Sequence, residues 1–156
     1  MKLAWLLIVS HLGAAVVGFA TGIYYLPILA APDAPTAEEL RAVAAAADFT
    51  GRFTRARVDS DALHWGEGTV YLGPERVALD GEIAPGPQYK LYLSPSFVET
   101  EQDFLSAKPG MALLGDVDTF RGFIVDVPTQ IDPSQFTTVI VWCEAFDQFI
   151  TSAQYR

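Results

Sequence analysis

The longest apolar segment of the chain lies at its N-terminus. No Asp, Glu, Lys or Arg occurs from Leu3 to Ala31, and a helix of about 20 such residues is enough to cross the hydrocarbon core of a bilayer. A cleaved signal peptide usually has a shorter apolar run, of about 7 to 15 residues. Cleavage after Ala31 or Ala34 would also place a rigid proline directly after the cut bond. The sequence therefore predicts that residues 1–31 form an uncleaved transmembrane signal anchor.

The charges that flank this segment predict its orientation. Lys2 and the α-amino group precede it, whereas Asp33, Glu38 and Glu39 follow it. Positive charge beside a membrane span is usually retained on the cytoplasmic side. We therefore expect a single-pass protein of the cell membrane whose C-terminal domain faces the periplasm or the cell exterior.

Residues 32–48 are predicted to be a linker and a short helix. Thr36 and Glu39 have the spacing of a capping box, in which each side chain binds a main-chain N–H group of the first turn. The alanine-rich stretch that follows has high helix propensity. Alanine side chains offer little bulk for recognition, so this helix is expected to be a spacer.

The pattern changes at Phe49 from helical to β-like. Short runs rich in β-branched and aromatic residues alternate with Gly, Pro and Asp. This pattern predicts an all-β domain over residues 49–156, an antiparallel sandwich or a barrel-like fold. The segment "SFVETEQDFLSAK" is expected to be either a helical turn or a long loop. The six predicted strands are "RFTRARV", "GTVYLG", "RVALDG", "QYKLYLS", "FRGFIVDVP" and "TTVIVWC".

Charge and residue counts exclude several classes of function. With 10 basic and 19 acidic residues the net charge is -9, and no cluster of Lys or Arg is present to neutralise a phosphate backbone, so nucleic acid is excluded as a partner. One Cys and two His, one of them inside the apolar segment, cannot form a Cys/His zinc site within this chain. Asp116, Asp118 and Asp126 match no metal-binding loop and are expected to lie on a solvated edge. We predict no metal site.

The single cysteine, Cys143, is the main candidate for chemistry. It ends "TTVIVWC", whose two alternating faces are both mostly apolar, which predicts a central strand covered on both sides. An isolated Cys in such a run is usually a small buried hydrophobe. Outside the cytoplasm, however, an accessible free thiol is open to oxidation or to pairing with another chain. Either Cys143 is well buried, or its reactivity is used.

His64 is the second candidate, as a cofactor ligand. Neutral imidazole and thiolate both donate to metals, so a His brought close to Cys143 would complete a nucleophilic pair or a two-residue ligand set for a metal or haem. The alternative is an ordinary histidine at a turn or strand edge. The spacing of the two residues does not distinguish these interpretations.

The order of the β segments resembles the electron-transfer DM-thirteen domain family. The resemblance is carried by "ALHWGEGTVYL", "GPQYKLYLSP", "GFIVDVP" and "FTTVIVWCEAFDQFITSAQY", and it covers Phe49 to Arg156. Its most specific part is the final signature, which consists of Val141, Trp142, Cys143, Phe146, Phe149 and Ala153.

The resemblance implies a β-rich extracytoplasmic domain whose single cysteine works in electron transfer, as a bare thiol or through a bound prosthetic group such as haem. Cys143 takes that role here, and His64 occupies a family position. Related domains occur fused to cytochrome b-type and DOMON domains, so the resemblance implies a redox partner of that kind and an accessory domain more than a stand-alone enzyme. Two alternatives stay open: a non-catalytic envelope binding or adhesion module in which Cys143 is core packing, and an intermolecular disulfide.

Overall fold

The computed structural model describes residues 2–156. The first element, helix α1 (Lys2–Ala30), has no buried residue and is long and apolar enough to cross a bilayer. Helix α2 (Ala37–Ala45) begins at the predicted capping box, because the Thr36 hydroxyl accepts from the Glu39 N–H and the Glu39 carboxylate accepts from the Thr36 N–H at 2.8 Å. The connector helix predicted from the sequence is therefore present.

Eight strands form two four-stranded antiparallel sheets, as the sequence predicts for a sandwich-like fold. The strands are β1 (Phe49–Phe53), β2 (Gly66–Leu72), β3 (Arg76–Ile83), β4 (Tyr89–Ser94), β5 (Ala112–Val117), β6 (Arg121–Asp126), β7 (Thr138–Cys143) and β8 (Gln148–Gln154). One sheet has the order β1-β2-β3-β6 and the other β5-β4-β7-β8. Helix α3 (Glu101–Ala107) and a 3₁₀ turn (Lys108–Gly110) lie between β4 and β5, and a second 3₁₀ turn (Pro133–Gln135) precedes β7.

The core has two layers that meet at β7. The inner faces of the two sheets pack into the main core, which includes Val141 and Cys143. The outer face of β7 packs under α3, where the Trp142 ring stacks on Phe104 with 3.8 Å between ring centroids. All six residues of β7 are buried. The prediction of a central strand covered on both faces is thus confirmed, and α3 is the element that covers the second face.

The main differences from the predicted strands occur in the edge strands β1, β5 and β8. The run "RFTRARV" leaves the sheet after Phe53, because Arg55 lies 3.3 Å from the Trp65 ring centroid and Arg57 donates to the Ser152 carbonyl on β8 at 3.0 Å. Strands β5 and β8 were not among the six predicted runs. Their sequences are interrupted by Gly, Asp, Ser or Gln, and they pair with the strongly apolar strands β4 and β7. The segment left open as helix or loop contains α3.

Candidate functional site

Cys143 lies at the last position of β7, at one end of the sandwich. Its S–H group donates to the Pro87 carbonyl at 3.2 Å, and the residue is 2% exposed. Across the strand pair it faces Tyr89, the first residue of β4. The thiol therefore occupies the edge of the main core, at the point where both strands end and the chain turns.

Two short segments cover the sulfur: 87–88, before β4, and 144–147, after β7. We call them the thiol cover. The N–H of Glu144 donates to the carbonyl of Gln88 at 3.2 Å and so joins the two. Within residues 2–156, Gln88 and Asp147 are the only non-glycine residues with positive φ, at 50° and 51°. Such left-handed conformations are unfavourable for residues with a Cβ. Both positions of this kind thus lie in the thiol cover.

The electrostatic environment keeps the thiol protonated. Burial raises the pKa of Cys143, and the negative charges of Asp147 and Glu144 act in the same direction. The main-chain N–H groups of Phe146 and Ala145 favour the thiolate, but the pKa is still raised. A reactive cysteine usually has a lowered pKa and partial exposure. With the cover closed, Cys143 has neither.

Glu144, the first residue of the second cover segment, is held by a network at the C-terminal side of α3. The Tyr92 hydroxyl donates to its carboxylate, and Lys108 Nζ lies 3.0 Å from both carboxylate oxygens. Burial alone would raise the pKa of Glu144, but the hydrogen bonds from Tyr92 and Lys108 outweigh it, so the pKa is lowered. The network fixes the position at which the chain leaves β7.

The Glu144→Gln substitution is expected to lower the free energy of unfolding at pH 7 by about 1 kcal/mol, because a partly exposed ion pair with charged hydrogen bonds is lost. Since the folded pKa of Glu144 is depressed, its stabilising contribution is complete above the ordinary carboxyl pKa of about 4.3 and is lost as the pH falls below it. Urea unfolding at pH 7 and pH 3 should therefore show a smaller acid-induced loss in the variant. The exposed Glu75→Gln is the matched control, and equal acid dependence in both variants would contradict this role.

His64 takes part in a set of hydrogen bonds that does not include Cys143. Its Nδ1 lies 3.0 Å from Asp61 Oδ2, and the other carboxylate oxygen of Asp61 accepts from the N–H groups of Leu63 and His64. The hydrogen bond from His64 is the main reason why the pKa of Asp61 is lowered. His64 thus closes a turn in the loop between β1 and β2, and no hydrogen bond joins it to Cys143.

The arrangement does not fit a haem held by Cys143 and His64. Such a site requires both ligands to face one cavity. Here the sulfur is enclosed by Pro87 and the main core, and the imidazole is bound to Asp61. Neither residue lines the main cavities of residues 2–156, whose volumes are about 420–550 Å³. We therefore derive no chemistry from a haem between them.

Of the three carboxylates predicted to lie on a solvated edge, Asp118 is exposed and the other two are paired with cations. Asp116 forms an ion pair with Lys90, and Asp126 lies 3.2 Å from Arg76. In the described part of the chain, no group of three or more His, Cys, Asp or Glu side chains is arranged to hold a metal ion.

A groove between the end of α1 and the end of the sandwich lies directly beside the thiol cover. Its volume is about 420 Å³. We call this groove the junction groove. Pro87 lines the junction groove and also accepts the hydrogen bond from Cys143. No local pattern in the sequence predicts that α1 and Cys143 lie at the same end of the domain. The residues that form most of its wall are Leu26, Pro27, Ala30, Gly86, Pro87 and Phe120.

Comparison with known proteins identifies the β domain. Residues 57–155 match the family described as Electron transfer DM13. Neither the curated proteins nor the solved structures compared with the chain gave a match. The matched range contains strands β2 to β8, His64, Cys143 and the thiol cover, and it covers more than half of the chain. The chain therefore belongs to the electron transfer DM13 family.

Proposed function

We propose that this protein is a membrane-anchored redox domain of the cell envelope in which Cys143 is the group that is oxidised and reduced. The observation that carries the proposal is the place of the one thiol, at the end of the central strand, under two short segments with left-handed residues. A cysteine that only packs in the core requires neither a strand end nor left-handed residues in the segments that cover it. The family's description as an electron-transfer domain supports a redox-related role.

The anchor proposal rests on the length and character of α1. Its 29 residues give a helix of about 43 Å, longer than a hydrocarbon core of about 30 Å. Tyr24 and Tyr25, both well exposed near its C-terminal end, are of the type that favours the membrane interface. The last turns of α1 would then lie among the lipid headgroups, with the Cys143 end of the sandwich closest to the bilayer. We propose 1–31 as the anchor, 32–48 as the connector and 49–156 as the redox domain, outside the cytoplasm.

The redox step requires the thiol cover to open. As segment 87–88 of the cover moves away, the Cys143 thiol releases its proton to water, while the N–H groups of Ala145 and Phe146 in segment 144–147 stay in place and stabilise the thiolate. The thiolate then attacks one sulfur of a disulfide on a partner protein. A new S–S bond to Cys143 forms as the partner's S–S bond breaks, and the released partner thiolate takes up a proton. We propose a partner in the same membrane, with cytochrome b-type and DOMON proteins as the candidates that the family resemblance implies.

The test compares Cys143→Ser and Cys143→Ala in membranes that contain the full-length protein. Both variants should lose the Cys143-dependent mixed disulfide seen on non-reducing gels and leave the partner's disulfide oxidised, which labelling of partner thiols in those membranes measures. Cys143→Ala keeps a small apolar side chain in the core, so it separates sulfur chemistry from packing. Unchanged labelling of the partner's thiols in membranes with a folded Cys143→Ala protein would sink the redox proposal.

A second candidate is a binding or adhesion module in which Cys143 is core packing. It is favoured by the 2% exposure of Cys143 and by its membership of the main core. On this hypothesis Cys143→Ala keeps full function. An intermolecular disulfide, the third alternative, requires the same cover to open and would appear as a Cys143-dependent dimer on the same gels.

A further inference from the structure

We propose that the junction groove binds a lipid-soluble molecule of the quinone class, with its ring in the groove and its tail directed into the bilayer. The inference rests on the proposed function in one respect, the insertion of α1 into the membrane. It names a ligand for a surface that the family match does not assign.

The groove has the size and walls of a small-molecule site. Its volume of about 420 Å³ lies within the usual range of about 300–1,000 Å³ for ligand pockets. A second cavity of about 510 Å³ adjoins it, sharing Ala31, Pro32 and Phe120 and adding Trp65. One wall is the end of α1 itself. A molecule dissolved in the bilayer can therefore enter along the helix, and the two cavities have room for a ring and the start of a chain.

A polar group lies directly behind the wall of the groove, against Gly86, which lines it. Tyr89 is only 3% exposed, and its hydroxyl lies against Gly86, where an added Cβ would overlap it. The Tyr92 hydroxyl donates to Glu144 and the Tyr155 hydroxyl donates to the Pro133 carbonyl. The Tyr89 hydroxyl has no hydrogen-bond partner within residues 2–156. Burial, with smaller contributions from Cys143 and Tyr24, raises the pKa of Tyr89, so the O–H stays neutral and able to donate.

These features favour a neutral ring with hydrogen-bonding oxygens. The Tyr89 hydroxyl is free to donate, and a carbonyl oxygen of the ligand would accept its hydrogen bond, whereas an alkyl chain would not. Asp118 in the groove wall and Glu144 and Asp147 in the adjacent cover disfavour an anionic phosphate headgroup. The Phe120 ring meets the Tyr89 ring edge-on at 6.1 Å, which leaves an aromatic surface for a ring-shaped ligand. Among neutral rings, the electron-transfer family favours one that itself carries electrons.

The test uses the full-length protein in dodecyl maltoside micelles with decylubiquinone as the probe. Bound quinone is measured by its ultraviolet absorption after the protein is separated from free ligand. We expect saturable binding of about one quinone per chain. Ala30→Leu fills the groove from α1 and should weaken binding at least about tenfold, while Ala20→Leu, the same change in the same helix away from the groove, should not. Tyr89→Phe removes one hydroxyl and should weaken binding about three- to tenfold.

Three results would overturn the assignment: binding that does not saturate, binding that Ala30→Leu leaves unchanged, or equally strong competition by decylbenzene, which lacks the ring oxygens. Circular dichroism of Tyr89→Phe shows whether the domain is folded, and Ala30→Leu changes no residue of the β domain. Cys143→Ser should bind the quinone as the unmodified protein does. A failed redox test with intact quinone binding would therefore count against the proposed function and leave this inference standing.

Discussion

Cys143 in the native protein should react with dithionitrobenzoate at least about a hundredfold more slowly than in the urea-unfolded chain. The sulfur is 2% exposed, hydrogen-bonded to Pro87 and protonated because burial raises its pKa, so reaction requires an opening that costs about 3 kcal/mol. Since the folded pKa is raised, the contribution of the protonated thiol to stability is complete below the ordinary value of about 8.5 and is lost as the pH rises above it. Stability should thus decline in mild alkali, and less so in Cys143→Ser.

The reference for this measurement is a thiol at an exposed position. Ser106 lies on the solvent side of α3, so a Cys143→Ser/Ser106→Cys protein reports the rate for an accessible thiol in the same fold. Native labelling of Cys143 within tenfold of that reference would show that the thiol cover is open much of the time. That result would contradict the closed arrangement described here.

Trp142→Ala is expected to reduce the free energy of unfolding by about 3–5 kcal/mol, the usual cost of removing a large buried aromatic side chain. Trp142 is fully buried and stacks on Phe104 at 3.8 Å. It also supports α3 and the adjacent Lys108, which binds Glu144. The same variant should therefore label faster at Cys143. Urea unfolding followed by circular dichroism gives the stability change, and dithionitrobenzoate gives the labelling rate.

The matched control for this prediction is Trp65→Ala. Trp65 is half-buried in the loop before β2 and stacks on Arg55, so its loss should cost markedly less. The Trp142 indole N–H has no hydrogen-bond partner in the described residues. The free energy of unfolding lost in Trp142→Ala therefore comes from packing alone. A loss below about 1 kcal/mol in Trp142→Ala would mean that α3 does not depend on this stack.

Local patterns were enough to predict the elements whose own residues determine their structure. The capping box at Thr36 and the two apolar faces of β7 are examples, since spacing alone specifies them. Strands β5 and β8 were missed because their polar and glycine positions become strand only by pairing with β4 and β7. Conversely, "RFTRARV" alternates as a strand would, but Arg55 and Arg57 find partners outside the sheet.

Only part of the candidate site could be predicted from the sequence. The position of Cys143 at a strand end followed from the pattern, whereas its burial depends on Pro87, which is remote in sequence and brought close by the pairing of β4 with β7. The separation of His64 from Cys143 likewise follows from the loop that ties His64 to Asp61. Long-range pairing of this kind leaves no local signature, and neither does the position of α1 at the junction groove.

The connection between α1 and α2 limits where the redox domain can work. Only residues 31–36 separate the two helices, and six residues reach at most about 20 Å even when fully extended. If α1 is fixed in the bilayer, the domain cannot travel to a distant partner as a carrier on a long flexible arm would. If its redox partner is also a membrane protein, as proposed above, the two proteins meet only in a thin layer above the membrane, by lateral diffusion. The rate of the proposed electron exchange should then depend on the surface density of both proteins and on the fluidity of the lipid.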